Sequence, residues 1–185
     1  MARPLESRWF IPFFLEDSSG RLTRSKFTDL YDRMKLYYGP VIGYTNTTYG
    51  VFDESPDGTR DDVTPIVLQF GADNSLGTIT IGSGNEMAME NYLSRVTIFA
   101  NSKCRHFVAS DGYRYRWRYR YASDQEWACT DSNGEVVSYY SLKLAGEPPY
   151  MSSGCMLTVE EDYGHLACEM LATCMIMRHI AAHNL

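Results

Sequence analysis

Four arginines at alternate positions are the densest concentration of chemistry in this chain. From Tyr113 to Tyr121 the sequence reads YRYRWRYRY, aromatic and basic residues alternating without a break. Successive side chains of a strand point to opposite faces. Tyr113, Tyr115, Trp117, Tyr119 and Tyr121 then line one face, and Arg114, Arg116, Arg118 and Arg120 the other. No helix sorts the two classes so cleanly. Neighbouring guanidinium stems stand roughly 6.5–7 Å apart along a row of about 20 Å. Lys103 and Arg105 lie just upstream. Like charges this close repel, so something must neutralise them, and two readings stay open. One is a set of carboxylates on adjacent strands, aided by the acidic run Asp53, Glu54, Asp57, Asp61 and Asp62. The other is a multiply charged anion such as an inositol phosphate, a phospholipid headgroup or a nucleic-acid backbone, because guanidinium grips phosphate oxygens in pairs.

The remaining reactive residues are sparser. Alternation puts Cys104 and His106 on one face of an extended segment, but no third group orients them as a nucleophile and base. His165 with Glu169, and His179 with His183, have the i, i+4 spacing of metal ligands on a helix, yet no third ligand accompanies either pair. Their simpler reading is a pair at a helical turn and two solvated histidines. The acidic run lacks the spacing of a twelve-residue calcium loop. Gly82-Ser83-Gly84 reads as a turn, and no G-x-S-x-G, H-E-x-x-H or P-loop motif occurs. No catalytic residue, metal ligand or cofactor is assigned on this basis.

The elements that must hold the arginine row are short strands. Of 185 residues, 44% are apolar, 22% charged and 14% aromatic, which suits one globular domain with a substantial core and favours strands. From Leu36 onward β-like runs alternate with turn signals: Leu36–Tyr38, Val41–Thr45, Thr48–Phe52, Pro65–Phe70, Gly77–Ile81, Arg95–Ala100, Arg105–Ala109, Tyr113–Tyr121, Glu126–Thr130, Glu135–Leu144 and Cys155–Glu160. Asp111-Gly112 and Asn133-Gly134 supply the positive φ that tight hairpins need. Residues 1–30 read as a partly irregular N-terminal segment and 31–185 as the domain. Strands of this number and spacing imply a sandwich or a barrel.

After Glu160-Glu161-Asp162 the pattern changes to a helix over about 163–183, rich in Leu, Met and Ala. Carboxylates stand before it, with Arg178, His179 and His183 near its end, as the helix dipole favours. It is apolar almost all round and therefore belongs in an interior. Its unbroken run Leu166–Met177 contains Glu169 and is far short of the roughly 20 residues of a membrane span. The net charge of −6 argues against a general nucleic-acid binder. Five cysteines, an odd number without a C-x-x-C pair, and an N-terminus with no signal-peptide core point to a reducing, cytoplasmic setting.

Phe107, Asp111-Gly112 and Tyr115-x-Trp117, followed by a hairpin and an apolar C-terminal helix, carry a resemblance. This F-x3-D-G-x2-Y-x-W pattern resembles an uncharacterised domain family of mushroom-forming fungi, itself similar to the tubby C-terminal, LURP-one and phospholipid-scramblase group. The resemblance covers about Tyr44 to Ala182. It implies a closed antiparallel β-barrel of about twelve strands around a buried hydrophobic C-terminal helix. It also implies a non-enzymatic binding or adaptor module at a membrane surface, because basic residues on the tubby barrel wall bind phosphoinositides. Those residues do not map one by one onto this chain, so Arg114, Arg116, Arg118 and Arg120 are assigned as ligand-binding from their charge. No cysteine precedes Cys104, unlike the scramblase branch, which carries a palmitoylated cluster ahead of its barrel. The alternatives are an intracellular protein–protein interaction domain with the arginine row salt-bridged internally, or a small enzyme without a recognisable motif.

Overall fold

A computed structural model describes residues 11–44, 47–55, 65–96, 103–121, 125–141 and 154–185. Among them run strands β1 (Phe13–Asp17), β2 (Ser25–Asp29), β3 (Lys35–Pro40), β4 (Thr48–Asp53), β5 (Ile66–Gln69), β6 (Thr78–Thr80) and β7 (Met87–Ala88). A single helical turn, α1 (Met89–Tyr92), leads into β8 (Ser94–Arg95), β9 (Cys104–Val108), β10 (Arg114–Tyr119), β11 (Gln125–Thr130), β12 (Val136–Ser141) and β13 (Cys155–Val159). A 3₁₀ turn over Glu161–Leu166 then feeds the helix α2 (Ala167–His183).

The strands form one antiparallel sheet in the order β7-β6-β5-β4-β3-β2-β1-β13-β12-β11-β10-β9-β8. Each neighbour is also a neighbour in sequence, except at the seam where β1 pairs β13, Leu15 lying opposite Leu157. Two meanders are therefore joined back to back. The expected closed barrel is not formed: among the described residues β7 and β8 share no ladder. Each has only two residues. The chain between them winds a helical turn and turns Met89 and Leu93 into the core. An open sheet of thirteen strands, its outer ends joined by α1, replaces the expected ring of about twelve.

The sheet packs on α2. Twelve of this helix's seventeen residues are buried, and only Glu169, Thr173 and His179 among the twelve are polar. Each of the three has a partner. Thr173 accepts a hydrogen bond from the Trp117 indole of β10 at 2.9 Å, and His179 Nε2 meets the Asn74 carbonyl at 2.8 Å beyond β5. Glu169 is bound by Tyr92 and Ser110. Arg178 reaches the Gly20 carbonyl, between β1 and β2, at 2.8 Å. Contacts thus come from strands well separated in the sheet, as burial on most sides of the helix requires. Asn184, at φ 53°, ends the helix in the left-handed conformation.

Some elements differ from the sequence reading. The N-terminal segment is not merely irregular, because β1 and β2 lie in the middle of the sheet. Their mixed sequences, FFLED and SKFTD, place Asp17 and Asp29 at buried positions. Residues 41–44 form a turn with Gly43 at φ +88° and Ile42 fully exposed, not a strand. Strand β8 stops at Arg95, and 97–100 lie outside the described residues. The two glycine turns are where the sequence puts them, Gly112 at φ +83° and Gly134 at φ +90°.

Candidate functional site

Strand β10 obeys the expected alternation over Arg114–Tyr119. Arg114 and Arg116 are exposed and Arg118 half-buried, while Tyr115 and Trp117 are buried. The inner residues anchor the strand. Phe107 and Tyr115 pack ring to ring with centroids 5.7 Å apart, the Tyr115 hydroxyl donates to Asp111 at 2.7 Å, and Trp117 bonds Thr173 of α2. The residues of the F-x3-D-G-x2-Y-x-W pattern therefore serve packing here. Their effect is to fix which way the intervening arginines point.

On the outer face, β9 sets Val108, His106 and Cys104 opposite Arg114, Arg116 and Arg118. On the other side β11 sets Thr130 opposite Arg116 and Ala128 opposite Arg118. None of these is acidic. Among the described residues no carboxylate oxygen lies within 4.0 Å of a nitrogen of Arg114, Arg116, Arg118 or Arg120. Ala128 and Thr130 are nonetheless buried, as arginine stems lying over them would cause. The guanidinium of Arg118 stacks 4.7 Å from the ring of Tyr121, and its buried Nε has no hydrogen-bond partner among the described residues. Together with the turn Asp131–Gly134, Arg114, Arg116 and Arg118 line a concavity of about 170 Å³. Asp131 is occupied locally, its carboxylate accepting the backbone N–H groups of Asn133 and Glu135, each at 2.9 Å.

No family model, curated protein or solved structure matches the chain. What can be said of its site therefore rests on the residues themselves.

The row is shorter than expected. Arg120 sits past the end of β10 at φ 46°, its N–H bound to the Glu126 carbonyl and its guanidinium 5.3 Å from the Tyr119 ring. Tyr113 and Tyr121 are exposed and do not continue the inner face. Arg105 does not add to the outer charge: it is buried and donates to the Leu93 carbonyl at 3.0 Å. Burial, followed by the charge of Arg95, lowers its pKa. Of the acidic run, Glu54 pairs with Lys26 at 4.0 Å on the far half of the sheet, and Asp57, Asp61 and Asp62 lie outside the described residues.

Of the other reactive pairs, only His179 and His183 stay in contact, with ring centroids 4.4 Å apart. His106 Nε2 meets Ser94 Oγ at 3.1 Å, its pKa lowered by burial and then by Arg114 and Arg116, and Cys104 makes no bond to it. His165 lies 3.9 Å from Asp111, while Glu169 turns inward. His179 stacks on Phe70 with centroids 4.0 Å apart. Among the described residues no group of three His, Cys, Asp or Glu could hold a metal ion.

Two features had no sequence signal. Arg178, which reads as a helix-end cation, is a largely enclosed centre, its side chain 12% exposed, facing Asp17 and Glu126 at 3.9 Å each and the Tyr140 ring at 4.5 Å. Burial lowers its pKa, but Tyr140, Cys174, Asp17 and Glu126 more than reverse that. The second is a cavity of about 870 Å³ where the two ends of the sheet approach each other.

Proposed function

We propose that this chain is a non-enzymatic binding module whose ligand is a multiply charged anion, such as a phosphoinositide headgroup or an inositol phosphate, held by Arg114, Arg116 and Arg118. One observation carries the reading: three guanidinium groups share one outer strand face with no carboxylate within 4.0 Å among the described residues. Arg120 stands at the row's end and adds charge from outside the strand. A row of like charges raises the potential at its own surface, and an arriving phosphate relieves the repulsion while accepting paired hydrogen bonds. Near an anionic bilayer each basic residue contributes about 1 kcal/mol, so a few suffice for reversible peripheral binding. No helix of the described residues is long and apolar enough to cross a membrane.

The kinship with the tubby, LURP-one and scramblase group belongs to the same proposal. In its favour are the antiparallel sheet, the buried C-terminal helix and the packing role of Phe107, Asp111, Tyr115 and Trp117. The test is flotation with vesicles containing phosphoinositide, comparing the native chain with the double variant Arg116→Glu, Arg118→Glu. Native protein should float, increasingly so as salt is lowered, and the variant should stay at the bottom. Equal flotation of the two would remove the site.

A further inference from the structure

The cavity at the open end of the sheet has a chemistry different from that of the arginine row. It lies between β7 and α1 on one side and β9 on the other, and Glu169 of α2 forms part of its lining. Much of its wall is apolar, with Ile81, Met87, Tyr92, Phe107 and Val108 contributing. Tyr92 and Phe107 present two aromatic rings, 5.8 Å between centroids.

Glu169 is the unusual member. It is 3% exposed on a helix that is otherwise almost wholly apolar. The Tyr92 hydroxyl, the Ser110 N–H at 3.1 Å and the Ser110 hydroxyl at 2.7 Å donate to its carboxylate. All are neutral groups. Among the described residues no Lys, Arg or His nitrogen lies within 4.0 Å of it. Among the described residues the other fully buried acids behave differently: Asp17 faces Arg178 and Asp29 faces Arg33. A carboxylate removed from water and left without a cation is expensive, and neutral donors offset only part of that cost.

The rest of the lining does not supply the missing charge. Glu86 adds a second carboxylate at the exposed side, against the single guanidinium of Arg114. His106, the other nitrogen base, is biased toward its neutral form by burial and by Arg114 and Arg116. The cavity therefore carries a net negative charge, with aromatic and aliphatic walls around its innermost carboxylate.

We propose that this cavity binds a small organic ammonium with an apolar body, its nitrogen at Glu169 and its chain or ring against Tyr92, Phe107 and Met87. Aromatic faces attract cations and aliphatic walls accept the body, so both halves of such a ligand are served. This site is distinct from the arginine row, which attracts the opposite charge and shares only Arg114 with it.

The probes are n-hexylamine and its uncharged counterpart hexan-1-ol, titrated into the native chain and followed by amide chemical shifts. Hexylamine should bind about tenfold tighter than hexanol, because only the ammonium can pair with Glu169. The Ser110 amide should move most. Equal affinities, or shifts centred elsewhere, would overturn the proposal, and this comparison needs no variant to fold. Glu169→Gln, checked for native circular dichroism, should lose the preference for the amine; a folded variant that keeps it also overturns the proposal. Arg116→Glu, Arg118→Glu should weaken amine binding by no more than about twofold, since neither residue lines this cavity and the added negative charge favours a cation. A larger loss there would assign the amine to the wrong surface.

Discussion

Arg178 and the arginines of β10 are the same side chain in opposite circumstances. Arg178 is enclosed by two carboxylates, a carbonyl and an aromatic ring. Arg114 and Arg116 are exposed, with no carboxylate oxygen within 4.0 Å among the described residues. The fold neutralises a guanidinium where low dielectric makes an unpaired charge intolerable, and leaves it open where solvent screens it. Arg33 lies between these cases. Its side chain is 30% exposed, and it grips Asp29 through Nε at 2.8 Å and Nη2 at 3.1 Å. Across Arg178, Arg33, Arg114 and Arg116, pairing with an acid follows burial, and the outer row on β10 is left to solvent.

Breaking the comparison at its buried end should have the largest effect. Arg178→Ala leaves Asp17 and Glu126 facing each other's charge in the interior, and unfolding in urea should show a loss of about 3–5 kcal/mol. Glu126 should then titrate higher still, because burial already raises its pKa and Arg178 is the first of the cations that lower it.

Next comes Asp29→Asn, expected to cost about 2–3 kcal/mol at pH 7. Burial pushes the Asp29 carboxyl upward, but the Arg33 side chain, the N–H groups of Phe14 and Arg33, and the Arg33 charge together hold it below its ordinary 3.8. A depressed carboxyl stabilises the fold fully above 3.8 and loses that contribution as pH falls through the folded-state value. The gap between native and variant stabilities should thus be constant from pH 5 to 7 and narrow below about pH 4.

Thr173→Val removes the acceptor of the Trp117 indole in an otherwise unchanged volume. A loss of about 1–2 kcal/mol in the same assay is expected, because a buried N–H is left unsatisfied. The smallest effect belongs to Arg116→Ala. Stability should stay within about 0.5 kcal/mol of native, with any gain fading as salt rises, since only repulsion is removed. A loss above about 2 kcal/mol would mean the row is held by something the described residues do not contain.

The arginine row was legible because two side-chain classes alternating at period two have one geometric solution. That the row is open was not, since it depends on what β9 and β11 set beside it. The strands β1 and β2 were hidden by their inward acids. Asp17 and Asp29 look like surface residues until Arg178 and Arg33 are brought to them. For Gly20 and Arg178, 158 residues apart, no local pattern announces the meeting. The helix was plain from its composition, yet Glu169 read as one half of a pair with His165 rather than as the wall of a cavity. The gap in the sheet was equally invisible, because two-residue strands carry no periodicity.

The seam between β1 and β13 has a bearing on how quickly the chain finds its shape. Hairpins on either flank can zip from nearby residues, but Ile11 meets Glu161 across 150 positions. Closing so long a loop costs entropy that grows only slowly with length, yet it must be met before either half gains a shared core. Pairing across that seam is therefore expected to come late in folding, after the hairpins on either flank have formed.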